Sequence, residues 1–124
     1  MPIYYALVGK SVGSMVLCDY TSYVGNFHAI TMKLMPRIEA NTMKTFELDE
    51  FFFHYINEDG LVILCMTDKL YKRKQAFAFL GDVKKGLALK YQQHELDRAI
   101  GHSITAFSET LREKIVSSPH VSNI

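Results

Sequence analysis

Short strand-like segments separated by turn residues make up most of the first half of the chain. The predicted strands are residues 3–8, 15–18, 45–48, 51–56 and 61–67. Their length and their content of β-branched and aromatic residues favour strands over helices. Two glycines within residues 9–14 and the tetrapeptide Asn-Glu-Asp-Gly at residues 57–60 predict tight turns, so the strands that these turns join are antiparallel neighbours.

Three segments carry apolar residues at helical intervals, which predicts three amphipathic helices. The residues are Phe27, Ile30, Leu34 and Ile38; Ala76, Leu80, Val83, Leu87 and Tyr91; and Ile100, Ile104, Phe107, Leu111 and Ile115. Asn26 is the predicted N-cap of the first helix, and Pro36 ends its regular part. The predicted order is β-β-α-β-β-β-α-α. Most of the strands lack the alternation of a sheet with one wet face, so we expect helices on both faces of an α+β fold.

The third strand differs from the other four because it alternates. Phe46 and Leu48 share one side, and Glu47 lies on the other. A strand with one wet face and no continuous apolar run is the expected edge of the sheet, or the border of a groove. Two interpretations of Phe46 stay open: it belongs to the core beneath the first helix, or it is partly open and anchors an apolar ligand.

Composition narrows the class of protein. The 124 residues are 48% hydrophobic and 22% charged with a net charge of +1, which fits one globular domain and gives no general attraction to nucleic acid. No apolar run exceeds six residues, so no transmembrane segment is predicted. Residues 45–68 hold six acidic and no basic residues, whereas residues 69–90 hold seven basic residues against Asp82. These blocks are either solvated faces or an electrostatic surface for acidic partners or lipid head groups; its residues would be Lys72, Arg73, Lys84 and Lys85.

Motifs for catalysis and for cofactors are absent from the sequence. Gly9-Lys10-Ser11 resembles the end of a phosphate-binding loop, but Tyr4 stands where that loop needs glycine. Cys65 with His54 is a conceivable nucleophile and base, yet a thiol within an apolar strand is typically inert packing. The five histidines are scattered. We therefore expect no catalytic residue, no metal site and no cofactor.

Three strings in the chain resemble the longin domains of vesicle-associated membrane protein R-SNAREs. They are YTSYVGNF at residues 20–27, followed by a helix and Met35-Pro36; FHYI at 53–56 through LCMTD at 64–68; and RKQAFAFL at 73–80, followed by Val83-Lys84 and Tyr91. The resemblance covers residues 3–117 in the element order that periodicity predicts. Each string is short, so its specificity comes from order and spacing along the whole chain.

The resemblance implies a five-stranded antiparallel sheet with one helix on one face and two on the other. It implies a longin domain at residues 1–117, with residues 118–124 beginning a linker or a disordered tail. In this family the domain precedes a SNARE motif and a membrane anchor, and it can fold back onto that motif. Whether the natural chain continues in this way stays open.

The resemblance also implies a binding module and not an enzyme. Its expected partners are its own SNARE motif, cognate SNAREs and trafficking adaptors, on the cytoplasmic face of endomembranes or vesicles. The expected site is an apolar groove between the first helix and the third strand. Its residues are Phe27, Ile30, Leu34, Lys44, Phe46 and Leu48. Lys44 departs from the family, which has an apolar residue there, although a lysine stem still covers apolar surface.

Two alternatives from other functional classes remain. One is a constitutive subunit of a coat or tethering complex, which would bury a large permanent interface. The other is a small-molecule sensor that uses a pocket against the sheet. Fold alone does not decide among these functions.

Overall fold

The computed structural model describes residues 3–101 and 103–117, which form five strands, four α-helices and two short 3₁₀ helices. The strands are β1 (Ile3–Lys10), β2 (Met15–Thr21), β3 (Thr42–Leu48), β4 (Phe51–Glu58) and β5 (Leu61–Asp68). The helices are α1 (Phe27–Leu34), α2 (Arg73–Lys90), α3 (Gln93–Arg98) and α4 (Phe107–Ser117). The tail predicted at residues 118–124 lies outside the described residues.

The five strands form one antiparallel sheet in the order β2-β1-β5-β4-β3. The predicted antiparallel sheet is therefore confirmed. β1 and β5, which carry the longest apolar runs in the sequence, are adjacent interior strands, so both faces of each need cover. The prediction that the third strand lies at an edge is confirmed, because β3 pairs with β4 alone among the described strands.

The turn between β4 and β5 is shorter than predicted. Asn57 and Glu58 continue the ladder opposite Val62 and Leu61, so only Asp59 and Gly60 make the turn. Both have positive φ, 53° and 85° respectively. Two consecutive residues with positive φ are typical of the two-residue hairpin turns whose twist matches that of the strands.

Helices cover both faces of the sheet, as predicted. The core on one side joins α1 to inward residues of β1, β4 and β5. The core on the other side joins α2, α3 and α4 to residues of β1, β2 and β5. The predicted count of two helices on this second face is one too few, because α3 adds a short third helix there.

The start of the last helix was predicted wrongly. Ile100 was expected on its apolar face, but this side chain is 67% exposed, and α4 begins only at Phe107. The backbone N–H of Ile100 instead donates to Ser103 Oγ, a local bond that competes with helix formation. The residues before it form α3, which a capping box between Gln92 and Glu95 initiates.

The first helix ends as its sequence predicts. It spans Phe27–Leu34, and Pro36 lies in a short 3₁₀ turn directly after it. Asn26 occupies the N-cap position, where its carbonyl, and not its side chain, accepts the hydrogen bond from Ile30 N–H. Ile38 lies past the helix and is buried against the same face of the sheet.

Leu64 tests the burial of the central strand. It is fully buried in the core beneath α1. We expect Leu64→Ala to lower the free energy of unfolding by about 2–5 kcal/mol, because truncating a core leucine loses apolar burial and leaves a cavity. Urea unfolding measures this loss. Leu89→Ala is the control, since Leu89 is exposed on α2, and an equal loss in both variants would contradict the assigned core.

Candidate functional site

Three residues of β3, at every second position, face the same side of the sheet as α1. They lie opposite β4 residues that belong to the core beneath that helix. The opposed pairs are Lys44 with Tyr55, Phe46 with Phe53, and Leu48 with Phe51. Directly opposed residues of antiparallel strands project to the same face. The structure therefore brings the three predicted β3 residues to the predicted side.

These β3 residues differ in burial. Phe46 is half-buried and packs against the core beneath α1, so its ring is neither fully enclosed nor free. Leu48 is 36% exposed, and Lys44 is exposed. The strand thus presents a partly open aromatic ring flanked by a leucine and a lysine.

The predicted α1 residues also divide into two kinds. Phe27 and Leu34 are buried in the core, whereas Ile30 is half-buried and packs on the edge of that core. Ile30 and the three β3 residues lie on the same side of the sheet and are half-buried or exposed, and we call this set of four residues the α1–β3 surface. Phe27 and Leu34 belong to the packing beneath it.

An aromatic cluster that the sequence did not predict lies on the same side of the sheet. The ring centroid of Tyr4 lies 5.0 Å from that of Tyr23, 5.6 Å from that of Phe51 and 6.0 Å from that of Phe27. The rings of Phe27 and Phe51 are 6.0 Å apart. Tyr23 is half exposed, so the cluster extends from the core to the surface. Contacts of this geometry stabilise aromatic pairs beyond their burial.

A bulge in β1 brings Tyr4 to this face. Ile3 lies opposite Thr67 and Tyr5 opposite Met66 in β5, so Tyr4 is an extra residue without a partner in the register. Tyr4 and Tyr5 consequently both pack against the core beneath α1, although strict alternation would separate them. Adjacent tyrosines near the start of a strand were the only signal for this cluster.

The two edges of the sheet are not equally covered. On β2, the carbonyl of Asp19 accepts a hydrogen bond from Ser108 Oγ at 2.9 Å, and α4 packs along that strand. On β3, all seven residues are half-buried or exposed. Among the described elements, β3 is the edge without such a cover, and an open edge beside an apolar surface suits a binding site.

A polar contact links the start of α1 to the sheet. Tyr5 Oη donates to Asp19 Oδ2 at 2.6 Å, and His28 Nδ1 lies 3.0 Å from the same oxygen. Burial and the hydrogen bond to Asp19 raise the pKa of Tyr5. This contact joins β1, β2 and the first turn of α1. An open cavity of about 340 Å³ lies beside it.

The opposite face of β3 carries polar contacts to neighbouring elements. Thr45 Oγ1 lies 2.9 Å from His54 Nδ1, and His54 Nε2 lies 2.9 Å from Thr67 Oγ1. Arg73 Nε donates to Thr45 Oγ1 at 2.8 Å. We call Thr45, His54, Thr67 and Arg73 the His54 network. It spans β3, β4, β5 and the start of α2, and no pattern in the sequence predicts it.

Comparison with known proteins now identifies the family. The family model of the regulated-SNARE-like domain named Longin matches residues 17–111, which is more than half of the chain. The chain belongs to the Longin family. The resemblance noted from the sequence, and the α+β fold that it implied, are thereby confirmed.

Curated relatives agree with this assignment. Over 92 residues, or 73% of this chain, the Longin domain is 40% identical to vesicle-associated membrane protein 7B of Dictyostelium discoideum and 35% identical to vesicle-associated membrane protein 7 of Mus musculus. It is 32% identical over 111 residues, or 87% of its length, to vesicle-associated membrane protein 713 of Arabidopsis thaliana. The matches cover 35%, 41% and 47% of these relatives, so the chain spans less than half of their length.

The four basic residues predicted as an electrostatic surface have different surroundings. Arg73 belongs to the His54 network, and its guanidinium lies 5.2 Å from the ring centroid of Phe77. Lys84 forms an ion pair with Glu58. Lys72 and Lys85 are exposed on the Longin domain. Two of the four side chains thus contact neighbouring elements of the fold, and the role of the set in binding stays a prediction.

The conceivable pair of His54 and Cys65 is not arranged as an activated nucleophile and base in the described part of the Longin domain. His54 and Cys65 are direct neighbours across β4 and β5, but burial raises the pKa of the Cys65 thiol, and both ring nitrogens of His54 have hydroxyl partners. Within residues 3–101 and 103–117, no three His, Cys, Asp or Glu side chains cluster as a metal site would require. Across the same residues, every helix is too short or too polar to traverse a lipid bilayer.

The stability of the Longin domain should fall as the pH drops below about 6.5. Burial, and secondarily the charge of Arg73, lowers the pKa of His54 to about 4. The unfolded chain therefore binds a proton at His54 before the native state does, which costs up to about 1.4 kcal/mol per pH unit between the two pKa values. Urea unfolding from pH 7 to pH 4 measures this slope.

The histidine responsible can be identified by substitution. His54→Gln should flatten the slope of unfolding free energy between pH 6.5 and pH 4. His94→Gln is the matched control, because His94 is exposed on α3, and it should retain the slope. An undiminished slope in His54→Gln would show that other groups cause the acid sensitivity.

Proposed function

We propose that this Longin domain is a regulatory and sorting module of an R-SNARE in vesicle trafficking and membrane fusion. It acts by reversibly binding an apolar, helical segment on the α1–β3 surface. The half-buried ring of Phe46, on the α1 side of an open edge strand, is the observation that carries this proposal. Membership in the Longin family and similarity to vesicle-associated membrane proteins support it.

The chemistry of the surface favours an amphipathic partner. Ile30, Phe46 and Leu48 offer apolar area, and the aromatic cluster lies on the same side of the sheet. An amphipathic helix lying in an apolar groove is a recurrent mode of recognition. The exposed ammonium of Lys44 adds a positive charge. An acidic side chain next to the apolar face of the partner helix would complement it.

The proposed occupants are the SNARE motif of the same protein, cognate SNAREs, and trafficking adaptors that compete for the surface. Occupation by the protein's own motif would slow SNARE assembly, and release would permit it. The proposed location is the cytoplasmic face of endomembranes or vesicles. The proposed domain covers residues 1–117, and it works by binding and not by catalysis.

Phe46→Ser should weaken binding about thirtyfold. A central aromatic anchor contributes about 2 kcal/mol to binding, which corresponds to that factor. Because the ring is only half-buried, we expect little loss of stability. Fluorescence anisotropy with a labelled R-SNARE motif of the family measures affinity, and thermal unfolding of the same samples measures stability.

Met43→Ser is the matched control for this substitution. Met43 lies on the same strand and is 62% exposed, but it projects to the opposite face, so its loss should leave binding unchanged. If Phe46→Ser unfolds the domain, Phe46 is a core residue. If affinity is unchanged, the binding surface lies elsewhere. Stable self-association of the purified domain in light scattering would favour a constitutive subunit instead.

A further inference from the structure

The hydrogen bonds of the His54 network run in one direction. Thr67 Oγ1 donates to the carbonyl of Asp68 at 2.9 Å, so its oxygen accepts from His54 Nε2. His54 Nδ1 is then the acceptor, and Thr45 Oγ1 donates its hydrogen to it. The oxygen of Thr45 in turn accepts from Arg73 Nε. Each hydroxyl therefore donates once and accepts once, and the neutral ring carries its hydrogen on Nε2.

The surroundings of the network make these bonds difficult to replace. His54 and Thr67 are fully buried. The centroid of the His54 ring lies 5.7 Å from that of Phe52 and 5.8 Å from that of Phe77. A polar atom that loses its partner in such surroundings is expensive to leave unsatisfied. Because the hydrogen bonds form one chain, removal of one hydroxyl would leave its neighbours in the network without a hydrogen-bond partner.

Thr45 is the member of this network that belongs to β3. A strand at the edge of a sheet has a ladder on one side only, so its position depends on that ladder and on side-chain contacts. On the face away from α1, Thr45 binds His54 and Arg73, and Glu47 forms an ion pair with Lys69. These contacts tie β3 to β4 and to the segment around the start of α2.

We infer that Thr45, His54 and Arg73 are positioning residues of the binding site, because they hold β3 from behind and so fix Phe46 relative to α1. None of the three lies on the α1–β3 surface. The inference rests on the proposed function of that surface. It predicts that partner affinity depends on a hydroxyl that the partner does not touch.

Thr45→Val and Thr45→Ser test the inference as a pair. Valine keeps the shape of threonine but removes the hydroxyl, whereas serine keeps the hydroxyl. In Thr45→Val we expect amide hydrogen exchange in β3 to accelerate about tenfold, because His54 and Arg73 lose their shared partner. The ring nitrogens of His54, observed by ¹⁵N NMR, should shift in Thr45→Val and return in Thr45→Ser.

The same variants are then measured for binding to the labelled R-SNARE motif. We expect Thr45→Val to lower affinity about fivefold, the size of effect that indirect contacts produce, and Thr45→Ser to restore it. Thr42→Val is the control, since Thr42 is also on β3 but its hydroxyl donates to the carbonyl of Glu39. It should leave the His54 nitrogens unchanged, and Met43→Ser, on the same face of β3 as Thr45, should leave the affinity unchanged.

The outcomes separate this inference from the proposed function. If the unsubstituted domain does not bind the motif, the proposed function fails, while exchange and NMR still decide whether the network holds β3. If it binds but Thr45→Val leaves β3 exchange unchanged, the network does not position the strand. Faster exchange with unchanged affinity would show that the position of β3 does not govern binding. Either of the last two results overturns the inference.

Discussion

Burial of the central strand pair on both faces is the constraint from which the rest of this fold follows. β1 and β5 pair in the middle of the sheet, where Leu7 lies opposite Leu64 and Ala6 opposite Cys65. Leu7 and Leu64 belong to one core and Ala6 and Cys65 to the other. Both cores need helices to cover them, and among the described strands the edge strand β3 is the one in which no residue is fully buried. β3 is the peripheral strand that α4 does not cover, and the proposed binding surface lies on it.

The blocks of opposite charge seen in the sequence meet across this fold. Glu47 and Glu58 come from the acidic block, and Lys69 and Lys84 from the basic block; they form two ion pairs. Both pairs are exposed, so each contributes less than about 1 kcal/mol. Some charges of the two blocks therefore pair with each other within the domain. Lys72 and Lys85 are among the basic residues that are exposed.

Features that follow from a regular local pattern of apolar residues were predicted from the sequence. Features that arise where a turn or a bulge interrupts that pattern were not predicted. Continuous apolar residues in β5 predicted cover on both faces, and the alternation around Phe46 predicted an edge. Ile100 fits a helical interval, yet the bond from its N–H to Ser103 starts a turn. The bulge at Tyr4 changes which side that residue faces, so spacing could not reveal the aromatic cluster. Thr45 is an ordinary strand residue whose role depends on distant partners.

The His54 network, on the face of β3 away from α1, adds a directional constraint on the register of the strand that apolar packing on that face would not add. A slip of one residue would turn Phe46 away from α1; the two-residue turn between β3 and β4 opposes such a slip, and so do the directional contacts on the other face of the strand. Apolar side chains would accept the shifted strand with moderate loss, because their contacts are not directional. Thr45 can bind both His54 and Arg73 only when it faces them, and in that register Phe46 faces α1. The directional contacts of Thr45 therefore favour the register in which Phe46 faces α1.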